Sequence, residues 1–293
     1  MITTLKKGLF IFCLTLFCVG IAWVSVEPSV REIGRTTERE LNVVLSSSFG
    51  SVLIEKGEQG KVLVAEGGTE SDVSSKMNMD YSIRNRVGYL DLVLWEECKE
   101  EKGKRGSYSM RDFKSGKWYL KFSDAVPISF DLELGVGKGN FDLTGLQVSD
   151  FDLSTGASDV DLSFDQPNKS SMDNMNIESG VSKFTGRNLG NANFKRFHFH
   201  GGVGSYTLDF SGDLRHEADV DIEVGLGVLT IIVPSDVGAR LSCEESWVSR
   251  LDCDRDFVRT SKDQYETDNY ATASGKMNIR IDSGLGSIKI KRH

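Results

Sequence analysis

Proline is scarce in this chain, with 4 in 293 residues, and histidine equally so, with 4. Thirty glycines beside so few prolines leave the turns to glycine. Together with short runs that alternate apolar and polar residues, this composition points to many strands and few helices. The sequence holds no G-x-S-x-G elbow and no H-E-x-x-H, which removes the common serine-hydrolase and zinc-protease signatures. Positive charge is also short: 35 Lys and Arg against 43 Asp and Glu give a net charge of -8. Neutralising phosphates needs a concentrated excess of cations, and no basic stripe is present, so no nucleic-acid partner is expected. The basic end formed by Lys289, Lys291, Arg292 and His293 reads as a device that keeps a terminal strand soluble.

Cysteine is sparse as well, at five residues. Cys13 and Cys18 lie in a hydrophobic run, which leaves Cys98, Cys243 and Cys253. Three cysteines cannot all pair, and their spacing fits no zinc template. Cys243 and Cys253 are close enough in sequence to close a loop in an oxidising compartment, a possible disulfide that would stabilise the fold by about 2–3 kcal/mol.

What is present begins at the N-terminus. Lys6 and Lys7 precede an uncharged run over residues 8–26, and Glu27 and Pro28 end it. Its length approaches a bilayer crossing, and lysines before it with an acid after it put the rest of the chain outside the cytoplasm. Residues 1–26 therefore read as a signal peptide, with small residues at Gly20 and Ala22 that a peptidase accepts, or as a single retained anchor touching the membrane through 8–26. A buried core helix fits less well, because the run has no polar face. The chain is expected to be exported: membrane-anchored with its globular part outside, or secreted or periplasmic if cleaved.

A repeat decides the expected fold. With Gly137, Gly156, Gly180, Gly202, Gly225 and Gly284 as markers, the residues five and three before each are Leu132/Leu134, Phe151/Leu153, Met175/Ile177, Phe197/Phe199, Val220/Ile222 and Ile279/Ile281. Four and six residues after the markers the pattern resumes, for example at Val160/Leu162, Leu229/Ile231 and Ile288/Ile290. An earlier copy has Ser48 in the marker place, flanked by Val43, Leu45, Val52 and Ile54. Units of about 22 residues, each two strands meeting at a glycine corner, cannot cover their own apolar face and must stack. This predicts an all-β, single-stranded β-solenoid with a regular part at 126–293, interrupted by an insertion at about 239–276, and less regular coils at 31–125. The charged stretch 96–112 reads as an exposed loop. Glycine at the corner supplies positive φ or simply a small side chain where coils crowd. A phosphate-cradling role is disfavoured, because no helix pattern follows these glycines.

Two outward ladders follow from the same alignment: Glu133, Asp152, Asn176, His198, Asp221 and Arg280 in one, and Gly135, Ser154, Glu178, His200, Glu223 and Asp282 in the other. His198, His200, Glu178, Asp221 and Glu223 are the candidate metal ligands, since imidazoles and carboxylates suit zinc. A solvated face of unlike neighbours between carboxylates explains the same residues, and no metal or cofactor is expected. Asp142, Asp150, Asp152, Asp159, Asp161 and Asp165 invite an acid–base reading for polysaccharide processing, but most alternate at the strand period and no calcium motif contains them. Trp95, Trp118, Tyr119 and Trp247 fit core positions better than sugar platforms. Ile288 and Ile290, on the last strand, would leave an edge available for self-assembly, opposed by the neighbouring Lys and Arg.

The segment Glu38-Arg39-Glu40-Leu41-Asn42-Val43-Val44-Leu45 with its Gly50 turn, the repeat from Phe130 through Gly137, and the closing Gly284-Leu285-Gly286-Ser287-Ile288-Lys289-Ile290 together resemble the toast-rack domain family of bacterial envelope proteins. That family includes LiaF-like and phage-shock-associated stress proteins and neighbours adhesin-type solenoids. The likeness spans 31–293 and implies an extracytoplasmic solenoid with no catalytic centre to transfer, linked to envelope-damage sensing, adhesion or control of a membrane partner. LiaF-like proteins carry several membrane spans before this domain, whereas this chain shows one hydrophobic run. The expected role is a non-enzymatic protein that binds an envelope or membrane protein or a surface polymer, the alternative being a carbohydrate-binding or polysaccharide-processing solenoid.

Overall fold

The computed structural model describes residues 29–68, 73–98, 116–243 and 249–293; the run 8–26, most of the 96–112 stretch and Trp247 lie outside them. Sixteen strands, β1 to β16 in chain order, join in one sheet. Seven are long: β2 (Glu40–Lys56), β7 (Pro127–Asp142), β8 (Gln147–Ser163), β9 (Met172–Arg187), β10 (Phe194–Asp209), β11 (Glu217–Val233) and β16 (Lys276–Arg292). They stack in that order, each parallel to the next along both of its halves.

Burial explains why each long strand is two arms and a corner. In β8, Phe151, Leu153 and Thr155 are buried and then Val160 and Leu162, so the alternation changes parity across 156–159. A straight strand would turn its second group to solvent, because side chains alternate between faces. Bending the chain at Gly156 keeps both groups on one interior. The same shift separates Val220 and Ile222 from Leu229 and Ile231, and Ile279 and Ile281 from Ile288 and Ile290. The two arms then pack on each other, with Phe199 against Tyr206 at 5.1 Å between ring centroids and Phe122 against Phe130 at 5.2 Å. Each such aromatic contributes about 1.5–3 kcal/mol by leaving water.

Corner glycines are required by the stacking distance. A Cβ on Gly156 would lie 2.5 Å from the carbonyl oxygen of Gly135, and one on Gly225 2.8 Å from that of Gly202. This column shows that the repeat marker of β7 is Gly135, since Phe130 pairs with Phe151 and Leu132 with Leu153. Marking that coil at Gly137 slips it by two residues, and period-two alternation hides the slip because apolar residues still fall on apolar residues. With the correction the first spacing becomes 21 residues, closer to its neighbours.

At each end one further coil follows, with one strand on the first arm and another on the second. Below β2, β5 (Val87–Cys98) lies on its first arm and β6 (Lys117–Phe122) on its second. Above β16, β12 (Gly238–Cys243) and β13 (Ser249–Cys253) repeat the arrangement. Antiparallel strands extend these ends. β4 (Val73–Arg84) pairs β5, β3 (Lys61–Gly68) pairs β6, and β1 (Ser29–Gly34) pairs β3. On the other side β15 (Gln264–Thr267) pairs β12 and β14 (Phe257–Ser261) pairs β15.

The segment between β11 and β16 therefore folds over the last long strand. Ile288 pairs with Leu251 and Ile290 with Cys253, which overturns the expectation of an unpaired edge there. The basic tail is structural too: the Arg292 guanidinium donates to the carbonyls of Val237 at 2.7 Å, Pro234 at 2.8 Å and Ser235 at 2.9 Å. Trp118 is buried, whereas Tyr119 faces out.

On the side opposite the corner, short connections join one coil to the next, and buried asparagines tie them together. Asn168 donates to the carbonyls of Val148 at 2.7 Å and Ala192 at 3.0 Å and accepts from the Val148 amide at 3.0 Å. Asn191, one coil later, donates to Phe164 at 2.8 Å and accepts from Asp213 at 2.9 Å. These side chains supply the bonds that an irregular backbone cannot make to itself.

Candidate functional site

Strand register places the first-arm outward residues in columns. One reads Asp131, Asp152, Asn176, His198, Asp221 and Arg280; the next reads Glu133, Ser154, Glu178, His200, Glu223 and Asp282. Glu133 thus belongs to the second column, one place from where the slipped alignment put it. Neighbours in a column come from successive coils, so their chemistry is set by cross-strand pairing.

The pairing is largely between unlike groups. Asn176 donates to Asp152 at 2.5 Å, His198 Nδ1 lies 3.6 Å from Asp221, and Arg280 donates to the same carboxylate at 3.0 Å. His200 Nδ1 lies 3.2 Å from Glu223. A third column adds Arg196 to Asn174 at 2.8 Å and Asn278 to Asp219 at 3.1 Å. The candidate ligands His198, His200, Glu178, Asp221 and Glu223 do share this face, but they are spread along it in pairs. Among the described residues no three His, Cys, Asp or Glu side chains converge as a metal-ligand set.

The candidate acids divide between the arms. Asp161 pairs with Arg187 at 2.6 Å, Asp159 with Lys183 at 3.5 Å, Asp165 accepts from Asn188 at 2.9 Å, and Asp142 accepts from the Thr144 amide at 3.0 Å. Asp150 differs. Burial, followed by the nearby Asp152 and Asp173 carboxylates, pushes its carboxyl above the usual range. It lines an open groove of about 500 Å³ with Glu40, Asn42, Ser129 and Ser170.

A second groove, of about 350 Å³, follows the glycine column and is lined by Glu133, Ser154, Glu178 and His200. At its base the hydroxyls of Thr155 and Ser179 are 3.2 Å apart, and Ser179 bonds in turn to Ser182.

Cys243 ends β12 and is buried, while Cys253 ends β13 and is half-buried; both are thiols. Burial, then the neighbouring Asp254 and Cys243, push the Cys253 thiol up to about 12.

One surface was not read from the sequence. Between the two glycine-rich columns of the corner stand Phe49, Val136, Ala157, Val181, Val203, Leu226 and Leu285, in register from β2 to β16. Val136, Val181, Val203, Leu226 and Leu285 are 46–65% exposed. Apolar side chains thus form one continuous exposed ridge along the stack. The recurring Gly-Val-Gly and Gly-Leu-Gly triplets carried the signal, since an apolar residue between two corner glycines has no interior to face.

Residues 25–187 and 174–232 match the family described as the N-terminal domain of toast_rack, DUF2154. No curated protein matches the chain. Among solved structures it is similar to a candidate cell adhesion protein from Clostridium sporogenes, at 18% identity and a TM-score of 0.42 over 91% of this chain and 100% of that one. A candidate adhesin from Bacteroides fragilis shares 15% identity, with a TM-score of 0.34 over 91% and 98%. A candidate lipid-binding protein from Parabacteroides distasonis shares 12%, with a TM-score of 0.22 over 92% and 97%. The family match covers well over half of the residues, from before the first described strand to the end of β11, and the chain belongs to the toast-rack N-terminal domain family.

Proposed function

We propose that this chain is a non-enzymatic binding protein of the cell envelope that presents the outward first-arm face of its solenoid to a protein partner, outside the cytoplasm. The observation that carries the reading is the pair of polar columns running over the coils from β7 to β16, with acids, imidazoles and amides at fixed strand spacing. A rigid parallel stack holds such a pattern without ordering cost, and pre-organisation favours recognition of an extended partner surface. The expected export signal at residues 1–26 supplies the compartment, whether it is cleaved or kept as an anchor.

Site-specific photo-crosslinking in whole cells tests it. A photoreactive residue at His198 or Asp221 should give a discrete protein adduct that is missing from the same residue placed at Asp161 on the second arm. Equal adduct patterns from all three positions, or none, would remove the reading.

A second reading, cleavage of a surface polysaccharide, draws on Asp150, whose raised pKa suits a proton donor and whose groove also holds Glu40. Release of reducing ends from envelope polysaccharide by the wild-type chain, abolished in Asp150→Asn, would establish it. Equal release by both would refute it.

A further inference from the structure

The corner ridge is built to meet a second copy of this chain. We infer that two copies pack ridge to ridge in parallel, about a two-fold axis that runs along the stack. The inference does not rest on the partner-binding reading: it uses the first-arm column next to the corner, Glu133 to Asp282, and leaves the outer column, Asp131 to Arg280, to the partner.

Successive coils are about 4.8 Å apart, so the six steps from Phe49 to Leu285 make a ridge about 29 Å long. An apolar strip of that length is a surface that soluble monomers seldom leave open. What selects the occupant is the charge beside it. The first-arm flank carries Glu133, Glu178, Glu223 and Asp282, each three residues before its ridge residue or, for Asp282, before Leu285. The second-arm flank carries, on the same coils and two residues after the ridge, Lys138, Lys183, Val228 and Ser287.

A two-fold axis along the ridge brings the first-arm flank of one copy against the second-arm flank of the other at equal height. Glu133 then meets Lys138 of the other copy on β7, and Glu178 meets its Lys183 on β9, each pair occurring twice. The remaining levels match Ser46 to Ser51, Ser154 to Asp159, His200 to Ser205, Glu223 to Val228 and Asp282 to Ser287, with no like charges opposed. An antiparallel pairing would set the acidic flank against itself. Within one chain Glu133, Glu178 and Lys138 have no ion-pair partner among the described residues. Lys183 lies 3.5 Å from Asp159 in an exposed pair that is readily exchanged.

The ends of the chains agree with this orientation. β1 lies at the N-terminal end of the stack, so a parallel pair brings both residues 29 to the same end, as two chains leaving one membrane through residues 8–26 would require. A contact about 29 Å long and as wide as the roughly 17 Å of strand from one flank to the other covers about 1,000 Å² counted over both copies, in the range of weak contacts. Where residues 8–26 are kept as an anchor, confinement to one membrane raises the local concentration enough for such a contact.

The test uses the full-length chain in lipid vesicles, with one added cysteine at Val136, Val203 or Leu285 and a short bismaleimide, read as dimer yield above that of the unsubstituted chain. A parallel ridge contact predicts a dimer from each variant alone. No dimer from Val136→Cys or Leu285→Cys alone, with Val136→Cys joining Leu226→Cys in a mixture, means antiparallel pairing and overturns the inference, as does no dimer from any position. In the Val203→Cys chain, Glu178→Lys or Lys183→Glu alone should lower the yield about fivefold, and the two together should restore it. All these positions are exposed, so circular dichroism should be unchanged; equal yields from the single and double charge variants would also overturn it.

Discussion

Replacing Gly227 by alanine tests the stacking argument where it is most exposed to failure. Gly227 has φ of 147°, and a Cβ there would stand 1.9 Å from the carbonyl oxygen of Gly204 in the coil beneath. Two costs add. A non-glycine residue held in this region of φ costs about 1–3 kcal/mol. Clearing the contact must lift the coil by more than an ångström or twist the corner, which overpacking data place at about 1–3 kcal/mol. The expected loss is therefore about 2–6 kcal/mol, a large share of the stability of a domain. Gly34 is the control, with nothing within 4 Å of its would-be Cβ, and Gly34→Ala should change stability by less than about 0.5 kcal/mol. Urea denaturation followed by tryptophan fluorescence and by circular dichroism measures both, the two probes checking that the transition is cooperative. A Gly227→Ala chain that unfolds at the same urea concentration as Gly34→Ala would refute the claim that glycine is fixed here by stacking.

Asn168→Ala, which deletes the side chain linking the connections of three successive coils, should cost about 2–4 kcal/mol in the same assay because buried backbone groups lose their partners. Asp124 is buried 2.6 Å from Lys56, and the hydrogen bond from that ammonium, against the cost of burial, holds its carboxyl below the usual 3.8. A depressed folded pKa means that the contribution is complete above the unfolded value and is lost as pH falls through the folded one. Stability should thus drop below about pH 4, and Asp124→Asn should flatten that part of the melting-temperature profile. Cys243 and Cys253 end the two arms of the same capping coil, and we expect them to pair in an oxidising compartment. Intact mass of the exported chain under non-reducing conditions should then be short by two hydrogens relative to the reduced chain, and an unchanged mass would rule the bridge out.

The coil was legible because its cause is local and repeated. Each arm writes an alternating apolar pattern, and each corner writes a glycine where a carbonyl of the neighbouring coil leaves no room for a Cβ. Register was legible only modulo two, which is why Gly137 passed for Gly135. The end coils were not legible: β5 and β6 build one coil from segments far apart in the chain, while β12 and β13 share the stretch 238–253 but have no glycine between them to mark a corner, which leaves a gap in the repeat. The same gap produced the mistaken free edge at Ile288 and Ile290, since nothing in the order of the chain says that an earlier segment folds back over the last strand. Of the candidate site, the columns were read correctly for β8 to β16 because polar residues alternate there with core residues. The ridge was missed because its valines and leucines, read by type, belong to an interior; only the parity change at the corner turns them outward.

The most direct measurement for the account as a whole is recovery of the tagged full-length chain from crosslinked envelopes, beside a version that lacks residues 1–26. The account predicts one specific membrane protein recovered with the full-length chain and lost with the shortened one. Recovery of soluble polymer alone, equally with either version, would contradict it and point to polysaccharide binding or processing.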